Sequence, residues 1–223
     1  MPRQARQTRP QLVCILADTS GSMAGEKARA ATQGIREMLM ECQARGPAGA
    51  ERSYFQLLLI TFDTAAAIEP LADMMPVRKI DPDRIEITGQ GSCTNITAAL
   101  HLALQRLRPY MDGLQQHPER AEHPLPLVIL FSDGEHNDGP PPQSVADEIK
   151  ALTLDGAPVA IAVAGVAIGA QRPDEKTLGA IASSECYFPI TRAPDLTRFI
   201  SSVGSSGASR PRDIAMAIKH LEI

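Results

Sequence analysis

Apolar and polar positions along this 223-residue chain fall into two alternating patterns. Leu12-Val13-Cys14-Ile15-Leu16-Ala17 and Leu127-Val128-Ile129-Leu130-Phe131 are short runs without a polar break, as expected of strands covered on both faces. Ile35, Met38, Leu39 and Cys42 instead recur at i, i+3, i+4 and i+7, which puts one apolar stripe on a helix. Ile96, Leu100, Ala103, Leu104 and Leu107 form a second such stripe, Val145, Ile149 and Leu152 a third, and Leu196, Phe199, Ile200 and Val203 a fourth. Strand-like runs alternating with helical stripes predict an α/β domain on a mostly parallel sheet.

Tyr54 to Phe62 reads as a second strand, and Asp63-Thr64 turns it into Ala65 to Leu71. That connection is too short for a crossover helix, so the pair is predicted to be antiparallel, a hairpin at one edge. Between Ala72 and Gly91 the chain is irregular. Pro109 to Pro126 is polar and proline-bearing and reads as a surface loop with room for an extra helical turn. Pro158 to Ala167 is a strand rich in Ala and Val, Asp174 to Ala182 a short helix and Cys186 to Ile190 a last edge strand. The predicted architecture is α/β: a doubly wound, mostly parallel sheet with an antiparallel edge hairpin and helices on both faces. Residues 1–10 read as a basic tail, 11–204 as one domain, and 205–223 as a small-residue linker and a short helix with Ile214, Ile218 and Leu221 at helical spacing.

Composition narrows the function classes. With 43% hydrophobic and 22% charged residues, a chain of this length buries roughly 70% of its surface as one globular domain. No apolar run approaches the roughly 18 residues that span a bilayer, and Met1 to Gln11 lacks the apolar centre of a signal peptide. A soluble, cytoplasmic protein without a membrane partner is expected. Cys14, Cys42, Cys93 and Cys186 are widely spaced, which speaks for reduced thiols and against a disulfide framework or a zinc site. The net charge is −4. Arg3, Arg6 and Arg9 make the start basic, but the acidic remainder offers no surface to a phosphate backbone, so no nucleic-acid partner is expected.

Candidate chemistry begins at Asp18-Thr19-Ser20-Gly21-Ser22, directly after the first apolar run. A loop leaving the carboxyl end of a buried strand can aim alternate side chains at one point, and hard oxygen donors converging there suit a hard divalent cation. The same residues also suit a βα loop in which Ser20 or Ser22 caps the next helix; both readings stand on these five residues. Asp133 ends a second strand in Phe131-Ser132-Asp133-Gly134. In an open parallel sheet, ligands bind at the carboxyl ends of strands where strand order reverses. Two carboxylates there repel and favour protonation of one, so their pairing makes sense with a divalent ion between them. Thr94, in a third glycine-containing loop, offers another oxygen.

Asp18-x-Ser20-x-Ser22, Thr94 in Gly-Ser-Cys-Thr-Asn and Asp133 in Phe-Ser-Asp-Gly together resemble the metal-ion-dependent adhesion site of von Willebrand factor A domains, over residues 11–204. The resemblance implies that Ser20, Ser22 and Thr94 bind the metal through hydroxyls, that Asp18 and Asp133 bind it directly or through water, and that an Asp or Glu of a partner protein completes the shell. It further implies a non-enzymatic, metal-dependent protein-interaction domain. By size and ligand number Mg²⁺ or Mn²⁺ is expected in preference to Ca²⁺. The phrase Asp-Thr-Ser-Gly-Ser-Met-x-Gly-Glu and the continuation through Asp138 are similar to the bacterial tellurium-resistance, TerY-like branch, which implies a chemical-stress response. His136-Asn137 and the tail after Ser205 depart from that branch.

Several neighbours take ordinary readings. His136 is expected to be an exposed loop histidine, since no acid is placed in sequence to orient it. Glu26, Glu135 and Asp138 fit the preference of acids for helix N-termini. The alternative function is a Mg²⁺-dependent phosphatase or phosphoryl-transfer enzyme. Against it, Ser20 stands where a phosphoaspartate hydrolase wants a second acid, Gly89-x-Gly91-x-x-Thr94 stops short of a dinucleotide fingerprint, and no lysine or arginine is expected in the metal loops to clamp a phosphate.

Overall fold

Eight consecutive buried residues, Gln11–Asp18, form β1. A strand with parallel neighbours on both sides buries both faces, which is why this run shows no polar alternation. The computed structural model describes residues 10–45, 53–116, 124–134, 136–169 and 172–219; Arg3, Arg6, Arg9, Glu135 and Leu221 lie outside them. After β1 come α1 (Glu26–Ala44), β2 (Phe55–Phe62), β3 (Ala66–Ile68), β4 (Met75–Pro76), α2 (Ile96–Gln115) and β5 (Leu127–Ser132). Then follow α3 (Gln143–Lys150), β6 (Thr153–Leu154), β7 (Ala157–Pro158), β8 (Ala160–Val166), α4 (Glu175–Ile181), β9 (Tyr187–Ile190), α5 (Ala193–Ser205) and α6 (Pro211–Lys219).

The sheet runs β3-β2-β1-β5-β8-β9, parallel from β2 to β9. β3 and β4 both lie antiparallel to β2, against Ile60 to Phe62 and against Gln56 and Leu57 respectively. Val13, Ile15 and Ala17 face Ile35 and Leu39 of α1 and Phe199 and Ile200 of α5, joined by Ile214 and Ile218 of α6. Leu12, Cys14 and Leu16 face Leu100 and Leu107 of α2, Ile149 of α3 and Leu178 of α4. The sheet is therefore doubly wound, with three helices on each face, and the period-two alternation of β1 decides which residue meets which layer.

Two expectations are corrected. Pro109 does not open a loop: α2 continues through it to Gln115, burying Met111 and Leu114. A proline inside a helix costs about 3 kcal/mol, and burying two large apolar side chains returns about 1.5–3 kcal/mol each. The strand expected from Pro158 begins at Ala160; Pro158 instead belongs to the small β6–β7 hairpin, turned by Asp155 and Gly156 with φ of 51° and 77°. Asp-Gly is favoured where both central residues need positive φ. No helix among the described residues is long and apolar enough to cross a membrane.

Strand order reverses between β1 and β5, since β2 lies on one side of β1 and β5 on the other. This is the switch point of the sheet, and its carboxyl end is the crevice where doubly wound folds bind ligands. Ala17 pairs with Phe131, so Asp18 is level with Ser132 and one residue behind Asp133. At the opposite end Gln11 Nε2 donates to Leu125 O (3.1 Å) and Ala208 O (2.9 Å).

Candidate metal centre

Asp18 is the last residue of β1, not the first of a loop, and is fully buried. Its Oδ1 accepts from Ser20 N (2.8 Å) and its Oδ2 from Ser132 Oγ, which in turn accepts from Gly134 N (3.2 Å). Burial pushes the Asp18 carboxyl above the usual carboxylate range; these hydrogen bonds oppose the rise, and the charge of Asp133 adds to it.

Beyond β1 a single 3₁₀ turn, Gly21–Met23, brings Ser20 Oγ within 3.0 Å of Ser22 Oγ. Ser22 Oγ donates to Asp133 Oδ1 at 2.6 Å. The segment before α2 lies against this turn: Gln90 N and Gly91 N donate to Thr19 O (3.0 and 2.9 Å), and Gly21 N donates to Gly91 O (2.6 Å). Such an approach needs glycine. A Cβ at Gly89 would stand 2.3 Å from Ala24 N, and one at Gly91 2.2 Å from Asp63 Cβ.

Thr94 is fixed by Asn137, whose Oδ1 accepts from Thr94 N (2.9 Å) while its own N donates to Thr94 O (3.2 Å). Asn95 caps α2 by accepting from Ala98 N (2.9 Å), and Asn95 N donates to Asp63 O (2.7 Å). Gly134 lies so close that a Cβ there would be 3.0 Å from Thr94 Oγ1. His136 turns aside, with Nε2 donating to Pro140 O at 2.8 Å.

Ser20, Ser22, Thr94 and Asp133, with Asn137 and Arg172, line one cleft of about 390 Å³, and Asp18 lies behind it. No lysine or arginine stands in the metal loops, but two cations reach the cleft from outside them. Lys27, buried in the first turn of α1, ion-pairs with Asp133 Oδ2 and donates to Ser22 O (3.1 Å); Arg172 lines the rim. Neither stands in the loops that the motif names. A signal for Lys27 existed, because a lysine in the first turn of a helix opposes the macrodipole and needs a local counter-charge. Ser132 and Asn137 carried no such signal.

Two carboxylates and three hydroxyls are a hard-oxygen donor set, and among the described residues no group of three or more His, Cys, Asp or Glu is placed to hold a metal ion. These residues fit a hard divalent ion that uses hydroxyl ligands, and they do not fit a soft-metal site. The model of the von Willebrand factor type A domain matches residues 13–202. The chain belongs to that family. The von Willebrand factor A fold is one of protein-interaction modules. Among solved structures, proximal thread matrix protein 1 from the mussel byssus is 19% identical, with a TM-score of 0.60 over 88% of this chain and 48% of that one. A form of it with a zinc-occupied MIDAS motif is 18% identical, TM-score 0.60, over 90% and 50%. The vWF domain of the type V pili tip protein Mfa5 from Porphyromonas gingivalis is 13% identical, TM-score 0.59, over 90% and 95%. The present chain spans about half the length of the mussel protein. These likenesses are of fold. No curated protein matches the sequence.

Proposed function

We propose that this von Willebrand factor A domain is a metal-dependent interaction module in which Asp18, Ser20, Ser22, Thr94 and Asp133 hold Mg²⁺ or Mn²⁺ and a partner protein adds an Asp or Glu. The observation that carries the reading is the convergence of Ser20, Ser22, Thr94 and Asp133, drawn from three segments, on one cleft at the switch point of the sheet, with the buried Asp18 carboxyl behind them. Asp18 and Asp133 supply charge; the three hydroxyls supply neutral oxygens. When bound, the ion offers an electrophilic point to an anionic group. A divalent occupant is supported by the zinc described in the mussel protein's MIDAS motif. The reading takes 11–204 as the interaction domain and 205–223 as an appended segment. Its cytoplasmic, chemical-stress setting rests on the TerY-like phrase from Asp18 to Glu26, and the four unpaired cysteines fit a reducing compartment.

Lys27 and Arg172 at the cleft give the phosphoryl-transfer alternative a feature that the sequence did not offer. Ser20 argues against it: a phosphoaspartate hydrolase wants a second acid two residues after Asp18, and that position is a hydroxyl whose Oγ lies 3.0 Å from Ser22 Oγ. Isothermal titration of the chain with Mg²⁺ and Mn²⁺, beside Asp18→Ala, tests the interaction reading. Saturable binding lost in Asp18→Ala, with capture of a lysate protein that chelator and Asp18→Ala both abolish, is the expected result. Absence of metal binding overturns it, and metal-dependent turnover of a phosphomonoester that Asp18→Ala abolishes would install the alternative.

A further inference from the structure

We infer that Lys27 is a built-in counter-cation that holds Asp133 in place without a metal and thereby lowers the affinity of the site for one. The inference rests on the metal-site reading above and concerns what this chain adds to it. Lys27 is 7% exposed and Asp133 is 1% exposed, so the pair is shielded from water. Both oxygens of Asp133 are engaged, Oδ1 by Ser22 Oγ and Oδ2 by Lys27 Nζ. The ammonium also donates to Ser22 O (3.1 Å), so one side chain ties the loop after β1 to the loop after β5.

A buried carboxylate left without a partner is strongly destabilising, and in this protein the lysine answers that demand. The same charge has a second effect. Two carboxylates and one ammonium carry a net single negative charge, so a divalent ion brings the cluster to a net single positive charge and not to neutrality. Metal uptake therefore works against the ammonium, and the loaded cluster is left in want of an anion. That charge state is what an acidic partner would meet, and Lys27 thereby couples metal retention to the partner's carboxylate.

The test is Mn²⁺ and Mg²⁺ titration, by isothermal calorimetry at low ionic strength, of the full chain and of Lys27→Met, Lys27→Arg and Asp18→Ala, with thermal midpoints in chelator and in metal. Methionine keeps the stem and removes the charge. Lys27→Met should bind metal about tenfold or more tightly than the parent, melt earlier than the parent in chelator, and regain its midpoint in metal; Lys27→Arg should stay near the parent. Lys27→Met that is soluble only with metal present is the extreme of the same result. Equal or weaker metal binding by folded Lys27→Met, while the parent binds, overturns the role of Lys27 and leaves the metal site standing. Insolubility of Lys27→Met both with and without metal makes Lys27 a purely structural residue and also overturns it. If neither the parent nor any variant binds metal, the metal-site reading falls and the inference with it.

Discussion

Ser132 Oγ, fully buried at the end of β5, donates to Asp18 Oδ2 and accepts from Gly134 N. Alanine there leaves a desolvated carboxylate short of a donor, at a cost of about 1–3 kcal/mol. Ser132→Ala should therefore lower the thermal midpoint measured in chelator, by roughly 2–12 °C for a chain of this size, and an unchanged midpoint would mean that water replaces the hydroxyl. Asn137→Ala has a different expected signature. It removes the acceptor that holds Thr94 N, while Asn137 is exposed, so calorimetric metal affinity should fall roughly tenfold, as for other outer-shell partners, with little change in the midpoint in chelator. The five residues of the candidate site stood out in the sequence because Asp18, Ser20 and Ser22 close one strand at alternate positions, because Asp133 precedes Gly134, and because Thr94 follows Gly91 by three positions in a loop before a helix. Ser132 and Asn137 did not, since their bonds to Asp18 and Thr94 cross between segments 114 and 43 positions apart; Lys27 carried the mismatch of a lysine in the first turn of a helix, but its partner Asp133 lies 106 positions away.

Helix α1 meets α5 along a seam whose closeness depends on Gly34. A Cβ there would lie 2.9 Å from Ile200 Cβ and 3.0 Å from Thr197 O, atoms that move only with the α5 backbone. Overpacking costs about 1–3 kcal/mol, more than the roughly 1 kcal/mol that alanine gains over glycine in a helix, so Gly34→Ala should be destabilising in urea titration. Gly204→Ala should cost less, because its Cβ would meet Met38 Sδ (2.2 Å), the far end of a flexible side chain; equal midpoints for the two variants would refute this reading of the seam. At α4, Asp174 accepts from Thr177 N (3.1 Å) and Thr177 Oγ1 (2.5 Å), and these bonds hold its carboxyl below the ordinary range. Asp174→Ala should cost about 1 kcal/mol near neutrality. A carboxyl depressed in the folded state stabilises above its unfolded value, near pH 3.9, and loses that contribution as pH falls further, so the gap between parent and variant should narrow on acidification below about pH 4. The helix stripes and parallel strands were readable because burial on a face enforces a period. The passage of α2 through Pro109 was not, because local proline chemistry opposes it and only the tertiary burial of Met111 and Leu114 outweighs it. The β6–β7 hairpin could have been read from Asp155-Gly156.

On the scale of the molecule, the candidate site lies at one end of the β1–β5 crevice and the Gln11 clamp to Leu125 and Ala208 at the other, so a ligand at the site ties three segments together without touching the far end. A metal that binds only the folded chain stabilises it by about 2.7 kcal/mol at free metal near 100 times its Kd, or about 5–10 °C in midpoint. That shift alone does not say where the metal sits; hydrogen exchange does. Amides in the middle of β1 and β5, which have no accessible surface, should exchange only through global unfolding and be slowed by the full linkage factor. Amides in the segments after β1, before α2 and after β5 should be slowed as well, because their local opening would release the ion. The β6–β7 hairpin and α6 lie away from the switch point and should open by local fraying that keeps the ion bound. Their exchange should therefore be the same with Mg²⁺ and with chelator. Equal slowing in α6 and in the three segments would place the stabilising ion elsewhere, and no slowing in those segments despite a raised midpoint would mean that they do not hold it.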